Sequence, residues 1–165
     1  MLAEAKRQIM ENGYANTTIR SVAGACGLGV GTVYNYFQSK DMLIASFMLD
    51  DWMTCIREMQ NASPNCPEEV LHGVYRSLHN YIDKYQSLFT DADALKAFST
   101  AFTQRHNQLR GQLVGIIRPV CESAQVENRE FLAEFIAESM LTWTVAGKTY
   151  DELAPVLGLL LKSKQ

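Results

Sequence analysis

The sequence contains no long hydrophobic run and no closely paired cysteines. No stretch reaches the roughly 18 apolar residues that a membrane-spanning helix needs, and no charged-then-apolar leader stands at its start. The four cysteines are scattered without a Cys-x-x-Cys pair, which is typical of reduced, mostly buried thiols and not of a disulfide framework or a zinc site. These absences predict a cytoplasmic protein with no membrane association and no metal.

An excess of basic residues is also missing. The formal net charge of the 165-residue chain is −3, and residues 1–48 carry four basic against three acidic side chains. A surface with so little positive charge gains little affinity for DNA from counterion release. Composition alone therefore does not indicate a nucleic-acid-binding protein.

Signals of β-structure and of catalysis are absent as well. Apolar and polar residues do not alternate as they do in strands. No nucleophile with a neighbouring base, pair of catalytic carboxylates or metal-ligand cluster occurs at an interpretable spacing. His72 and His79 share one predicted helix face but lack a third ligand, so they are interpreted as ordinary histidines. We therefore expect no enzymatic activity and no cofactor.

The sequence does contain a succession of helical patterns. Apolar residues recur at spacings of three and four, and 47% of all residues are apolar, which is enough for a buried core. An all-α fold is predicted, with helices over residues 2–12, 40–59, 68–87, 91–102, 109–120, 128–147 and 151–161. Pro119 is expected to bend or break the helix that contains it.

The stretch from Thr17 to Lys40 predicts two more helices, short and joined by a tight turn. Thr17 or Thr18 can cap the first, Gly27 supplies the turn, and the second opens near Gly29. The second helix has one apolar side, formed by Val30, Val33 and Phe37. Its outward side carries hydroxyl and amide groups suited to phosphates and base edges, on Thr32, Tyr34, Asn35 and Tyr36. This is a helix-turn-helix whose second helix has the size of a major-groove reader.

The glycines at positions 27, 29 and 31 also invite comparison with a nucleotide-binding loop. Their spacing is not Gly-x-Gly-x-x-Gly, no strand precedes them and no Walker lysine follows. The glycines are therefore assigned to the turn and to close approach of the backbone.

Many positions in this segment match a known pattern in register. They are Gly13-Tyr14, Thr18-Ile19, Val22-Ala23, Ala25, Gly27, Gly31-Thr32-Val33-Tyr34, Tyr36-Phe37, Ser39-Lys40 and Leu43. With them, residues 1–45 resemble the DNA-binding segment of the TetR/AcrR family of bacterial transcriptional regulators, and the remainder resembles that family in helical layout and length. The resemblance implies a helix-turn-helix DNA-binding domain over residues 1–45 and a helical effector-binding and dimerisation domain over residues 46–165.

The resemblance also assigns contacts with double-stranded DNA. Phosphate contacts fall on Thr18, Thr32, Tyr34 and Lys40, and base reading falls on Val30, Gly31, Asn35 and Tyr36. Two departures weaken the assignment, because the family commonly has Ser or Thr at the position of Gly29 and a short, often basic arm before the first helix. The alternative is a helical ligand-binding or protein-interaction module that has lost specific DNA binding.

Residues 46–165 contain more large apolar and aromatic side chains than a thin helical bundle needs, on helices expected to surround one cavity. The candidate effector residues are Met53, Ile56, Met59, Tyr75, Leu78, His79, Tyr81, Phe98, Phe102, Met140 and Trp143. Arg105, His106 and Asn107 are further polar candidates for orienting a ligand. Few Lys or Arg side chains line the expected cavity, which favours a small hydrophobic effector that is neutral or cationic. The alternative that these residues are ordinary core stays open.

The last two predicted helices have apolar stripes on more than one side, so one stripe is expected to meet a second copy of the chain. The predicted interface residues are Phe131, Phe135, Thr142, Ala146, Leu153, Leu157 and Leu161. Such a homodimer, joined by a four-helix bundle, presents two recognition helices to an inverted-repeat operator with half-sites about 34–36 Å apart. The predicted function is a repressor that a small hydrophobic effector releases from DNA by moving the connector helix near Leu43 to Met59.

Overall fold

A computed structural model describes residues 1–62, 66–124 and 128–161, with the side chains of residues 98–106 outside the description. These residues form α-helices only, with no β-strand among them, which confirms the predicted all-α fold. The helices are α1 (Leu2–Asn16), α2 (Ile19–Ala25), α3 (Val30–Tyr36), α4 (Lys40–Asn61), α5 (Pro67–Lys84), α6 (Gln86–Thr90), α7 (Ala92–Ser123), α8 (Arg129–Val145) and α9 (Tyr150–Leu161). None of them, over the described residues, is long and apolar enough to cross a membrane.

The first helix has a break where its end was predicted. The backbone leaves helical geometry at Gly13, with φ 79° and ψ 171°, and then makes a further turn to Asn16. Glycine tolerates this positive φ because it has no Cβ. The kink places Tyr14 beyond the straight part of α1.

The helix-turn-helix forms as the sequence predicts. Thr18 caps α2 by accepting a hydrogen bond from the backbone N–H of Ser21, whose hydroxyl accepts one from the Thr18 N–H in return. Gly27 turns the chain with φ 66°, and Gly29 is the N-cap of α3.

The connector helix α4 is continuous over 22 residues. Ser39 caps it, because its hydroxyl oxygen accepts a hydrogen bond from the Met42 N–H at 3.1 Å.

Two predicted boundaries in the middle of the chain are wrong. The helix expected over residues 68–87 ends at Lys84, and Tyr85 separates it from the short α6. The two helices expected between residues 91 and 120 are one helix of 32 residues, α7, which includes Pro119. The polar residues 103–108, which separate the two predicted helices, include no Gly or Pro. The helix therefore continues through them although the spacing of apolar residues is interrupted.

The chain divides into two compact units. Unit 1 consists of Met1–Met53 and Tyr85–Phe102, and unit 2 of Thr54–Lys84 and Thr103–Gln165. In unit 1, α1 packs against α2 and α6, and α2 packs against α3. In unit 2, α5 packs against α8 and α9. The functional division at residue 45 stays a prediction, because these units are defined by packing.

Candidate nucleic-acid interface

The recognition helix α3 has one buried side chain, that of Val33, and exposes most of its other residues. Val33 is fully buried, whereas Gly31, Thr32 and Asn35 are exposed. Tyr34 and Tyr36 are 51% and 71% exposed, high values for aromatic residues. This surface has the mixture of hydroxyl, amide and aromatic groups that DNA contacts use.

An open groove of about 630 Å³ adjoins α3. It brings together side chains from the start of α2, one side of α3 and the start of α4: Thr17, Thr18, Ile19, Arg20, Val30, Tyr34, Gln38, Ser39 and Lys40. The structure therefore gathers the predicted contact residues Thr18, Val30, Tyr34 and Lys40 around one concave surface. The other predicted DNA contacts are exposed on α3 beside it.

Arg20 lines the groove although it is not among the contacts predicted from the sequence. It lies in the first turn of α2, exposed to solvent, and supplies a guanidinium suited to a phosphate oxygen. The helical periodicity of α2 could have predicted that Arg20 is exposed. Ile19, Val22 and Ala23 define the buried face of α2, and position 20 falls outside it.

A polar network holds the start of α2 against α1. The Ser21 hydroxyl donates to Gln8 Oε1 at 2.6 Å, and Gln8 Nε2 donates to the Ser21 carbonyl at 3.3 Å. Gln8 is buried, so these bonds satisfy an amide that would otherwise be costly to bury. Thr18 Oγ1 accepts the cap bond from the Ser21 N–H at 3.0 Å. The Thr18 hydroxyl proton therefore remains suited to a phosphate oxygen.

Lys40 is tied to α1 as well as to the groove. Its Nζ donates to the Tyr14 carbonyl at 2.7 Å and lies 3.6 Å from the centre of the Tyr14 ring. The Tyr14 hydroxyl in turn donates to Asp41 Oδ1 at 2.6 Å. Burial lowers the pKa of Lys40, and burial together with the Asp41 carboxylate raises the pKa of Tyr14. Lys40 and Asp41, the first two residues of α4, thus both bind Tyr14, which follows the Gly13 kink.

Residues 1–47 match the family model described as bacterial regulatory proteins, tetR family. This chain carries a tetR-family helix-turn-helix. The family match confirms the resemblance found in the sequence for the N-terminal segment. No curated protein matches the chain.

Solved structures of TetR regulators share the fold. A transcriptional regulator from Cytophaga hutchinsonii aligns with a TM-score of 0.70 at 16% identity, over 97% of this chain and 94% of its own. The TetR family regulator PfmR from Thermus thermophilus aligns with a TM-score of 0.59 at 20% identity, over 99% and 98%. A TerR/AcrR family regulator from Aquifex aeolicus aligns with a TM-score of 0.60 at 19% identity, over 88% and 82%. The TetR-type fold therefore extends beyond the matched N-terminal residues.

The predicted effector residues have different surroundings. Met53 belongs to unit 1, and the described members that follow it in the chain belong to unit 2. The buried members are Ile56, Met59, Tyr75, Leu78 and Met140; His79 is exposed and Tyr81 half-buried. Phe98 and Phe102, like Arg105 and His106, lie outside the described side chains.

Two polar atoms in unit 2 distinguish this region from a plain apolar core. The Tyr75 hydroxyl donates to the Lys148 carbonyl. The indole Nε1 of Trp143 is buried without a hydrogen-bond partner among the described residues. A buried donor left unpaired costs free energy unless an acceptor reaches it.

The predicted dimer residues divide into exposed and buried sets. Phe131 and Phe135 are 70% and 46% exposed and stack with ring centres 6.4 Å apart. Thr142 of the same helix and Ala146, the residue that caps its C-terminus, are also exposed. Leu153 and Leu157 are buried within the chain, because α9 packs against α5. They offer little surface to a second copy, unlike Val156 and Leu159, which are exposed on α9. Leu161 is half-buried.

Proposed function

We propose that this regulator is a homodimeric repressor that leaves a palindromic operator when residues 46–165 bind a small hydrophobic effector. The observation that carries the proposal is the exposed face of α3 beside a groove that contains two cations, Arg20 and Lys40. Residues 1–45 bind the operator DNA, and residues 46–165 bind the effector and form the dimer.

In the proposed complex, some residues of α3 contact the base edges of the DNA, and other residues of α3 and the groove contact its phosphates. Base edges are read by half-buried Val30 and by the exposed α3 residues Gly31, Asn35 and Tyr36. Phosphates are contacted by Thr18, Thr32, Tyr34 and Lys40, to which the groove adds Arg20. Arg20 compensates in part for Gly29, which has no side chain to offer a phosphate.

The exposed aromatic pair on α8 supports the dimer. Phe131 and Phe135 form an apolar patch that water would otherwise cover. In the proposed interface they are joined by Thr142 of α8, by Ala146 at the C-cap of that helix, and by Val156 and Leu159 of α9. The last two replace Leu153 and Leu157, which the chain uses for its own core.

The unpaired indole of Trp143 supports an effector that accepts a hydrogen bond within an otherwise apolar site. The effector need prefer the DNA-free conformation by only about 1–3 kcal/mol to weaken operator binding 5- to 150-fold.

Selection from sheared genomic DNA at low salt tests DNA recognition. The wild-type protein should enrich inverted repeats, and footprinting should show two protected half-sites about 34–36 Å apart or at a related spacing. Failure to enrich any duplex would instead favour a protein-interaction or ligand-sequestering module.

A panel of hydrophobic compounds tests the switch on the selected duplex. At least one compound should release the DNA and quench or shift the fluorescence of Trp143, relative to a Trp143→Phe variant. The proposed switching is contradicted if compounds that bind unit 2 leave operator affinity unchanged.

A further inference from the structure

The chain crosses between the two units three times, and two of these crossings are joined by a hydrogen bond. It leaves unit 1 after Met53 and returns at Tyr85. Asp51 lies two residues before the departure, and the hydroxyl of Tyr85 donates to its Oδ2 atom. The two positions are 34 residues apart in the sequence, so this bond closes a long loop at its base.

Helix α1 reaches the same carboxylate oxygen. Lys6 Nζ donates to Asp51 Oδ2 at 2.7 Å. The Lys6 and Asp51 side chains are 28% and 23% exposed, so water screens their charges less than it does at a fully exposed pair. One carboxylate of α4 therefore binds α1 and the residue that precedes α6, all within unit 1.

The surroundings of Tyr85 hold its hydroxyl in place. Tyr85 is fully buried, and its ring stacks on Phe47 of α4 with centres 6.1 Å apart and planes at 24°. A side chain confined in this way cannot follow a shift of α4 or α6 by changing rotamer, because the packed core resists such a change. A shift must break the bond to Asp51 or move Asp51 and Lys6 as well.

From Lys6, contacts continue to the DNA-binding groove. Gln8 lies two residues further along α1, and it is hydrogen-bonded to Ser21, which completes the cap of α2 with Thr18. Thr18 lines the groove. The path from the crossings to the groove therefore consists of hydrogen bonds and about half a turn of α1, from Lys6 to Gln8.

We propose that Asp51 is the coupling residue of this regulator: the Lys6–Asp51–Tyr85 cluster links the conformation of unit 2 to the helix-turn-helix through α1. The proposal rests on the function proposed above and assigns its regulation to particular side chains. Coupling is reciprocal, so DNA bound at the helix-turn-helix must affect unit 2 as strongly as unit 2 affects DNA. The link is therefore measurable without knowledge of the effector.

The test is hydrogen exchange in the full chain with and without the duplex selected from genomic DNA. In the wild type, DNA should change exchange in α5 about fivefold or more. Tyr85→Phe removes one donor and preserves the ring, and Lys6→Met removes the other. In both variants the α5 response should fall below about twofold while the duplex still binds. Lys6→Arg should restore it.

Arg7→Met is the matched control. Arg7 neighbours Lys6 and has the same charge, but its ion pairs with Glu4 and Glu11 stay within α1. This variant loses as much positive charge as Lys6→Met, and it should keep the full α5 response. The proposal fails if Tyr85→Phe and Lys6→Met keep that response, or if Arg7→Met loses it equally.

Exchange in the free protein provides a second measurement that does not depend on DNA. Tyr85→Phe should accelerate exchange about tenfold in α1 as well as in α6, because a hydrogen bond to a charged group is lost at their common partner. Acceleration confined to the helix that contains the substitution overturns the coupling. Failure of DNA recognition, in contrast, appears as the absence of any duplex bound by the wild type, and this free-protein measurement still decides whether the cluster couples α1 and α6.

Discussion

At the scale of single residues, the proposed DNA contacts predict opposite effects of Gly29 and Arg20 on DNA affinity. Gly29 caps α3 without a side-chain hydrogen bond. Arg20 places a guanidinium in the groove. The difference matters because each phosphate contact contributes separately to an interaction that depends on salt.

Gly29→Ser is expected to strengthen both α3 and DNA binding. A Cβ at position 29 meets only Thr32 Oγ1, at 3.6 Å, an ordinary contact. A serine hydroxyl can cap α3, which should raise the free energy of unfolding by a few tenths of a kcal/mol, and it can reach a phosphate. We expect operator affinity, measured by fluorescence anisotropy, to rise by about two- to tenfold. Gly24→Ser, in open space on α2, should leave that affinity unchanged; equal effects would exclude a specific role for position 29.

Arg20→Met should weaken operator binding about tenfold and reduce the slope of log K against log salt by about 0.9, since one phosphate contact is lost. The control is Arg57→Met, which removes the same charge from α4 outside the groove. A slope unchanged by Arg20→Met, measured in a salt titration of DNA binding, would contradict the phosphate contact.

The cysteines should differ in reactivity. Cys55 and Cys121 are buried, and burial raises the pKa of Cys55 to about 11 and also raises that of Cys121. At pH 8 these thiols stay protonated and unreactive. A disulfide reagent followed by mass spectrometry should modify Cys26 and Cys66, which are half-exposed, before the other two. Rapid modification of Cys55 in the native protein would show that this part of α4 opens.

At the scale of elements, helix starts were more predictable than helix continuity. Thr18 is one of the two predicted caps of α2, and its hydroxyl accepts the expected backbone hydrogen bond. Ser39 and Asp91 accept such bonds at the starts of α4 and α7. The continuity of α7 was missed because hydrophobic periodicity reports which side of a helix is buried, whereas backbone hydrogen bonds can persist through a polar interval.

Tyr75 links α5 to the segment that follows α8. Its hydroxyl donates to the Lys148 carbonyl, so Tyr75→Phe should lower the free energy of unfolding by about 1 kcal/mol in urea denaturation. Tyr36→Phe, at a side chain that is 71% exposed, should change it by less than about 0.5 kcal/mol. Equal destabilisation by the two variants would mean that the Lys148 contact contributes nothing measurable.

At the scale of the whole molecule, the exposed aromatic pair of α8 should determine the oligomeric state. The double variant Phe131→Ser with Phe135→Ser should sediment as a monomer with unchanged helix content. Its operator affinity should fall by about 100-fold or more, because two half-sites are no longer bound together. The control is Leu95→Ser, at an exposed apolar side chain of unit 1. A dimeric double variant would place the interface elsewhere.

The sequence by itself determined the local structure and the resemblance of residues 1–47 to the tetR family. Caps, turn glycines and apolar periodicity act within a few residues, so the helix-turn-helix and the tetR-family match follow from short-range patterns. Only the tertiary structure decided which side chains meet across the chain. It placed Arg20 in the groove, Lys40 against Tyr14, and Leu153 and Leu157 in the core. A helical pattern specifies which face is apolar, but its partner depends on how distant helices pack, which no short stretch of sequence specifies.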